Sequence, residues 1–148
     1  MTPEQRVLRD AMAATPVRAA ELAEAAGRDP EAPPAPGEWS AREVVLHLAA
    51  TEELVWHARL DALAAEDFPH WPWVEPGVLE EPGTGTWAGA RAAHAARRAA
   101  TVARLDALDD AGWARTGHHD VYGDLDVAAM LRIILDHDAE HLDQIRCG

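Results

Sequence analysis

The sequence predicts an all-α fold, a bundle of four principal helices. Three observations lead there. Helix-start signals recur along the chain, and runs rich in Pro and Gly separate the stretches they open. No alternation of β-branched or aromatic residues lasts more than three positions, so strand signals are nearly absent. At 148 residues the chain has the length of a single domain, residues 1–148, with material for a sizeable core.

The first helix opens at Thr2-Pro3-Glu4-Gln5. Thr2 caps, Pro3 takes the first helical position and Gln5 stands three residues after the cap. Val7, Leu8 and Met12 supply its apolar stripe. Thr15-Pro16 repeats the start signal, so a break is expected there before the helix runs on to Ala26 and ends at Gly27. Residues 27–38 hold four Pro and two Gly and read as a loop. The second helix has the clearest start. Ser40 can cap and Glu43 can return the bond, while Trp39 and Val44 stand at the hydrophobic-staple positions. Its apolar positions continue to about Ala65.

From Asp67 to Gly85, four Pro, three Gly and two Trp exclude a long element. Connections of that length often carry function or cover a site. The third helix, Thr86 to Leu108, is rich in Ala and Arg. A second loop runs from Gly112 to Asp126 and carries Trp113, His118, His119 and Tyr122-Gly123. Asp126 caps the last helix, which extends to about Arg146.

Charge narrows the function classes. All 13 basic residues are Arg, against 26 acidic residues, for a formal net charge of −13. Such a chain repels phosphate backbones and anionic bilayers, so neither nucleic acid nor membrane is an expected partner. The absence of Lys excludes Schiff-base chemistry. The single Cys147 cannot form an internal disulfide, no run approaches the roughly 20 apolar residues that span a bilayer, and the start is polar. The expectation is a soluble cytoplasmic protein.

The eight His carry the functional signal. At about 100° per residue, His137 and His141 lie about 40° apart on the last helix, on the side of Met130, Ile133 and Ile134. His47 shares a face of the second helix with Val44, Thr51, Leu54 and Ala58. All three imidazoles are therefore expected to point inward, where a buried His needs hydrogen-bond partners or a metal. Three neutral imidazoles with an open fourth position make a catalytic rather than a structural zinc arrangement. Spacing alone leaves open three separately satisfied core histidines. His137-Asp138-Ala139-Glu140-His141 also matches H-x-x-E-H, but a peptidase needs a further acidic ligand and only seven residues follow. Asp138 and Glu140 are candidates to orient the imidazoles, with a solvated acidic face as the alternative. Arg59 and Trp71-Pro72-Trp73 are candidates for a pocket mouth, with the Trp residues as core anchors the alternative. His57 is a weak ligand candidate, and His94, on the Arg- and Ala-rich helix, is expected to be exposed or at a helix contact. His118 and His119 lie in a loop that could reach the site, and His70 is uninformative.

At these residues the sequence resembles the DinB-like (damage-inducible) metalloprotein superfamily, which includes bacillithiol- and mycothiol-dependent transferases and maleylpyruvate isomerases. The resemblance rests on Trp39-Ser40-x-x-Glu43-Val44-x-x-His47-Leu48-Ala49 and on His137-Asp138-x-Glu140-His141-Leu142-x-Gln144-Ile145. Trp113 to His118 and Tyr122-Gly123 add to it. It implies an up-down-down-up four-helix bundle with a divalent metal, commonly zinc or nickel, whose ligands fall on His47, His137 and His141. The activity it suggests is transfer of a low-molecular-weight thiol to a small electrophile. A metal at three imidazoles would hold such a thiol as thiolate, the nucleophilic form. The competing expectation is a non-catalytic metal-binding bundle, or a homodimer formed through the Ala-rich helix.

Overall fold

The computed structural model describes residues 1–74 and 85–147. Four long helical runs form its body. α1 spans Pro3–Ala26. α2 (Ala41–Thr51) continues through a π-helical turn, Glu52–His57, into α3 (Ala58–Ala65). α4 is Trp87–Asp106, a short α5 spans Asp110–Trp113, and α6 is Val127–Cys147. The start signals operate as expected. Thr2 and Gln5 exchange reciprocal bonds at 2.8 and 3.1 Å, as do Ser40 and Glu43 at 3.1 and 3.2 Å. Asp126 Oδ1 accepts from the Ala129 amide, 2.8 Å away, at the start of α6. Gly27 closes α1 in the left-handed conformation, φ 67°.

Two expectations about the helices need correction. The first helix does not break at Pro16. Proline has no N–H to give the carbonyl four residues back, that of Met12. Arg98 Nη1 donates to that carbonyl instead, at 3.1 Å, and α1 runs through. The face predicted for the second helix shifts part-way along it. Leu54, expected inward, is 61% exposed, while Val55, Trp56, Arg59 and Leu60 are buried. The π turn is the cause: its wider ring takes up one additional residue, so later side chains fall one position off a 3.6-residue count.

The small sheet departs from the all-α expectation. β1 (His70–Trp71) pairs in parallel with β2 (Thr116–His119), which pairs antiparallel with β3 (Gly123–Asp126). Strands of two to four residues are too short for alternation to register in sequence. Gly117 is needed there, because a Cβ would meet the Trp71 ring at 2.3 Å and the Pro69 carbonyl at 2.9 Å. Trp71 is thereby a buried anchor rather than a pocket rim, while Trp73 is 43% exposed. Much of the long connection predicted from Asp67 to Gly85 lies outside the described residues.

The buried side chains form two apolar clusters. One gathers Met12, Trp56, Leu105 and Ile134 with their neighbours. The other gathers Ala19, Val44, Ala90 and Leu142 with theirs. Along α1, α4 and α6, the polar residues Thr15, Arg98 and Asp138 fall between the members of the two clusters. Among the described residues, no helix is long and apolar enough to cross a membrane.

Candidate metal centre

His47 stands on α2, and His137 and His141 stand one turn apart on α6. The structure brings the three together. Each offers a ring nitrogen, and these three atoms all lie within 4.8 Å of one another. The rings are half-buried, with centroids 4.5 to 5.6 Å apart. Trp39, the residue before the Ser40 cap, closes one side. Its indole lies 5.0 Å from the His47 ring and stacks on His141 at 6.3 Å, with 11° between the planes.

The protonation pattern suits a cation. His141 Nδ1 lies 2.8 Å from Gln144 Oε1, an oxygen that only accepts, so Nδ1 carries a hydrogen and Nε2 is the nitrogen left to offer a lone pair in the neutral ring. That Nε2 is 3.2 Å from His137 Nε2. Two nitrogens bound tetrahedrally at about 2.0–2.1 Å from one ion stand roughly 3.3 Å apart, so the pair has metal-bridging separation. Burial, reinforced by His141 and His137, lowers the His47 pKa to about 4. Burial, with His141 and Arg98, brings His137 to about 4 as well. Both are neutral at pH 7, the ligand form. Among the described residues, the Nδ1 atoms of His47 and His137 are buried without a hydrogen-bond partner. The donor set therefore fits a divalent metal.

The acidic candidates do not serve the imidazoles. Asp138 faces away from them into the bundle and is 2% exposed. It accepts from Arg98 at 2.8 and 3.1 Å and from Thr15 Oγ1 at 3.2 Å. The reason is that α6 packs on α1 as well as α2, so a wider arc of it is interior than the apolar stripe alone suggests. Glu140 is exposed. His141 is oriented by Gln144, not by a carboxylate.

Arg98 was not singled out by the sequence, where it is one Arg among many on an Ala-rich helix. Besides Asp138 and the Met12 carbonyl, it donates to both carboxylate oxygens of Glu52, at 2.8 and 2.9 Å. Glu52 sits in the π turn five residues beyond His47, and Asp138 directly follows His137. One fully buried guanidinium thus ties the segments that carry the imidazoles. Thr101 also donates to Glu52, and His57 Nε2 approaches Thr101 Oγ1 at 2.9 Å, so His57 belongs to this buried polar cluster and not to the imidazole centre.

The remaining histidines are placed elsewhere. His70 pairs with Asp120 and His118 with Asp124 across the sheet. His119 Nδ1 accepts from the Val121 and Tyr122 amides at 3.0 and 3.2 Å, capping the hairpin turn. His94 is buried rather than exposed, and its Nε2 has no hydrogen-bond partner among the described residues.

A sequence model described as the DinB superfamily matches residues 8–145. Among solved structures, YfiT from Bacillus subtilis superposes with a TM-score of 0.79 at 19% identity, covering 98% of this chain and 85% of that one. It is described as a probable metal-dependent hydrolase with an unusual four-helix bundle topology. At that identity the likeness bears on the fold. No curated protein matches the chain.

Proposed function

The chain belongs to the DinB superfamily, and on that premise we propose that it is a metal-dependent enzyme that transfers a low-molecular-weight thiol to a small electrophile, with His47, His137 and His141 as the ligands. The observation that carries the reading is the meeting of three imidazoles from two separate helices, two of their nitrogens at metal-bridging distance. When bound, a divalent cation there would bring a coordinated thiol or water toward its anionic, nucleophilic form near neutral pH. The chain's own residues do the rest. Gln144 fixes the tautomer and tilt of His141. Trp39 shields one flank and narrows the approach to the centre. Arg98, through Glu52 and Asp138, holds the two ligand-bearing segments at a set separation.

The up-down-down-up course of the four helical runs is part of this reading, and paired side chains support it. Glu4 with Arg132 and Thr15 with Asp138 match α1 and α6 from their starts onward. Arg9 with Asp106 sets the start of α1 against the end of α4. Glu53 with Arg97 and Asp61 with Arg104 run the second helix along α4 in the same order.

Hydrolysis is the second reading, favoured by the description of the structurally similar Bacillus subtilis protein. Zinc and nickel content should be measured on wild type and His47→Ala, followed by thiol consumption and ester hydrolysis on the loaded protein. Metal retained by wild type and lost by His47→Ala, with thiol consumed only by the loaded form, is the expected result. Hydrolysis without thiol would select the second reading. Bound metal with neither reaction would leave a structural centre, and wild type that binds no metal would sink the proposal.

A further inference from the structure

Arg59 is left unused by everything described so far. It is only 7% exposed. Yet among the described residues no carboxylate, carbonyl or hydroxyl hydrogen-bonds or pairs with its guanidinium, which lies over the Trp56 ring, 5.2 Å from Cζ to centroid, with His119 and Tyr122 near enough to interact electrostatically. Arg98, buried more deeply still, has two carboxylates and a carbonyl. The contrast matters because a buried cation is ordinarily matched by an anion, and an aromatic face compensates only part of its lost hydration. Burial accordingly lowers the Arg59 pKa from its usual value, with Tyr122 opposing.

Trp56 connects this cation to the imidazole centre. Arg59 lies over the indole, and the His137 ring meets the same indole at 5.9 Å, 73° from coplanar. A group held by Arg59 is therefore one aromatic ring away from the metal ligands. The guanidinium fork matches the two oxygens of a carboxylate or phosphate. In a chain of net charge −13, binding an anion requires such a local cation, and a low-dielectric setting strengthens its pull.

The geometry points to Arg59 as the anchor for an oxyanion group, a carboxylate or phosphate, on the small molecule processed at the three-histidine centre. This rests on the proposed metal site only in placing the anion beside it; the anion binding stands alone.

The test is calorimetric titration of metal-free and zinc-loaded protein with succinate, inorganic phosphate and the neutral succinamide. Wild type should bind succinate or phosphate saturably in the metal-free form, and whichever binds identifies the group; succinamide should not bind. Arg59→Met should weaken that binding roughly tenfold or more, with Arg59→Lys between the two. Zinc affinity should be unchanged in Arg59→Met, and its Tm should hold or rise, since an apolar side chain of similar length replaces an unpaired charge. Unchanged anion affinity in Arg59→Met, whatever its Tm, overturns the assignment, as does a metal-free wild type that binds neither anion. Wild type that binds anions but no zinc would defeat the metal reading and leave this one intact.

Discussion

At the residue scale, His141 is the ligand candidate whose second ring nitrogen has a protein partner. Gln144 Oε1 accepts from its Nδ1 at 2.8 Å, which turns Nε2 toward His137. Gln144→Leu removes the acceptor while keeping similar bulk, so the ring is freed to rotate and change tautomer. Loss of such an orienting partner weakens metal binding about 10- to 100-fold, and zinc titration of the variant should fall in that range. Gln144→Glu should retain or strengthen binding, because a carboxylate accepts the same proton more strongly. Equal zinc affinity in Gln144→Leu and wild type would show that packing against Trp39 alone fixes the ring. The three imidazoles were legible in sequence because helical spacing puts His137 and His141 on one inward stripe and His47 on another. The role of Asp138 was not, since a one-dimensional pattern cannot show that a second arc of α6 is also interior and faces a cation on α4.

At the element scale, α1 and the Arg98 cluster are coupled through a missing hydrogen. Pro16 leaves the Met12 carbonyl without its helical donor, and Arg98 Nη1 fills that place. Arg98→Met alone should be severe, on the order of 3–5 kcal/mol, because it strands the Glu52 and Asp138 carboxylates in the core. Pro16→Ala alone restores the helical N–H and improves propensity, so it should raise Tm. Together the two should be less destabilising than their separate effects predict, because the restored amide gives the Met12 carbonyl the donor that Arg98→Met removes. A double-mutant cycle by urea unfolding should show a coupling of about 0.5–3 kcal/mol, the range for residues sharing a partner. Strict additivity would mean that the carbonyl does not link them. The sequence marked Pro16 as a break because proline usually is one. What keeps the helix whole is a side chain more than eighty positions away. The π turn escaped in the same way. It preserves helical composition and shifts only the phase of burial, from Leu54 to Val55 and Trp56.

At the scale of the whole molecule, buried neutral histidines should govern how the metal-free protein responds to acid. His47 and His137 titrate at about 4 and His94, held down by burial and then by Arg98, at about 3. In the unfolded chain each titrates near the ordinary histidine value, about 6.5. Between those limits the unfolded state binds more protons, so stability is fully present above pH about 6.5 and falls as pH drops toward 4. Protonation of the acidic surface works the other way by relieving repulsion in a chain of charge −13. The two effects separate by pH, since exposed carboxylates titrate mainly near 4, below most of the histidine window. Tm of metal-free protein should therefore decline from pH 7 to 5. Bound zinc should raise Tm most at pH 7 and progressively less as protons compete for the ring nitrogens. His94→Leu separates the centre from the rest of the core. His94 is buried with an unpartnered Nε2 on a helix that carries none of the three clustered imidazoles, so its replacement should flatten the acid decline while leaving the zinc-induced rise at pH 7 in place. An acid decline as steep in His94→Leu as in wild type would mean that His94 does not enter the balance. A Tm independent of pH from 7 to 5 in the metal-free protein would mean that His47 and His137 are solvated well enough to carry charge in the folded state, and the reading of those two rings as neutral ligands would lose its physical basis.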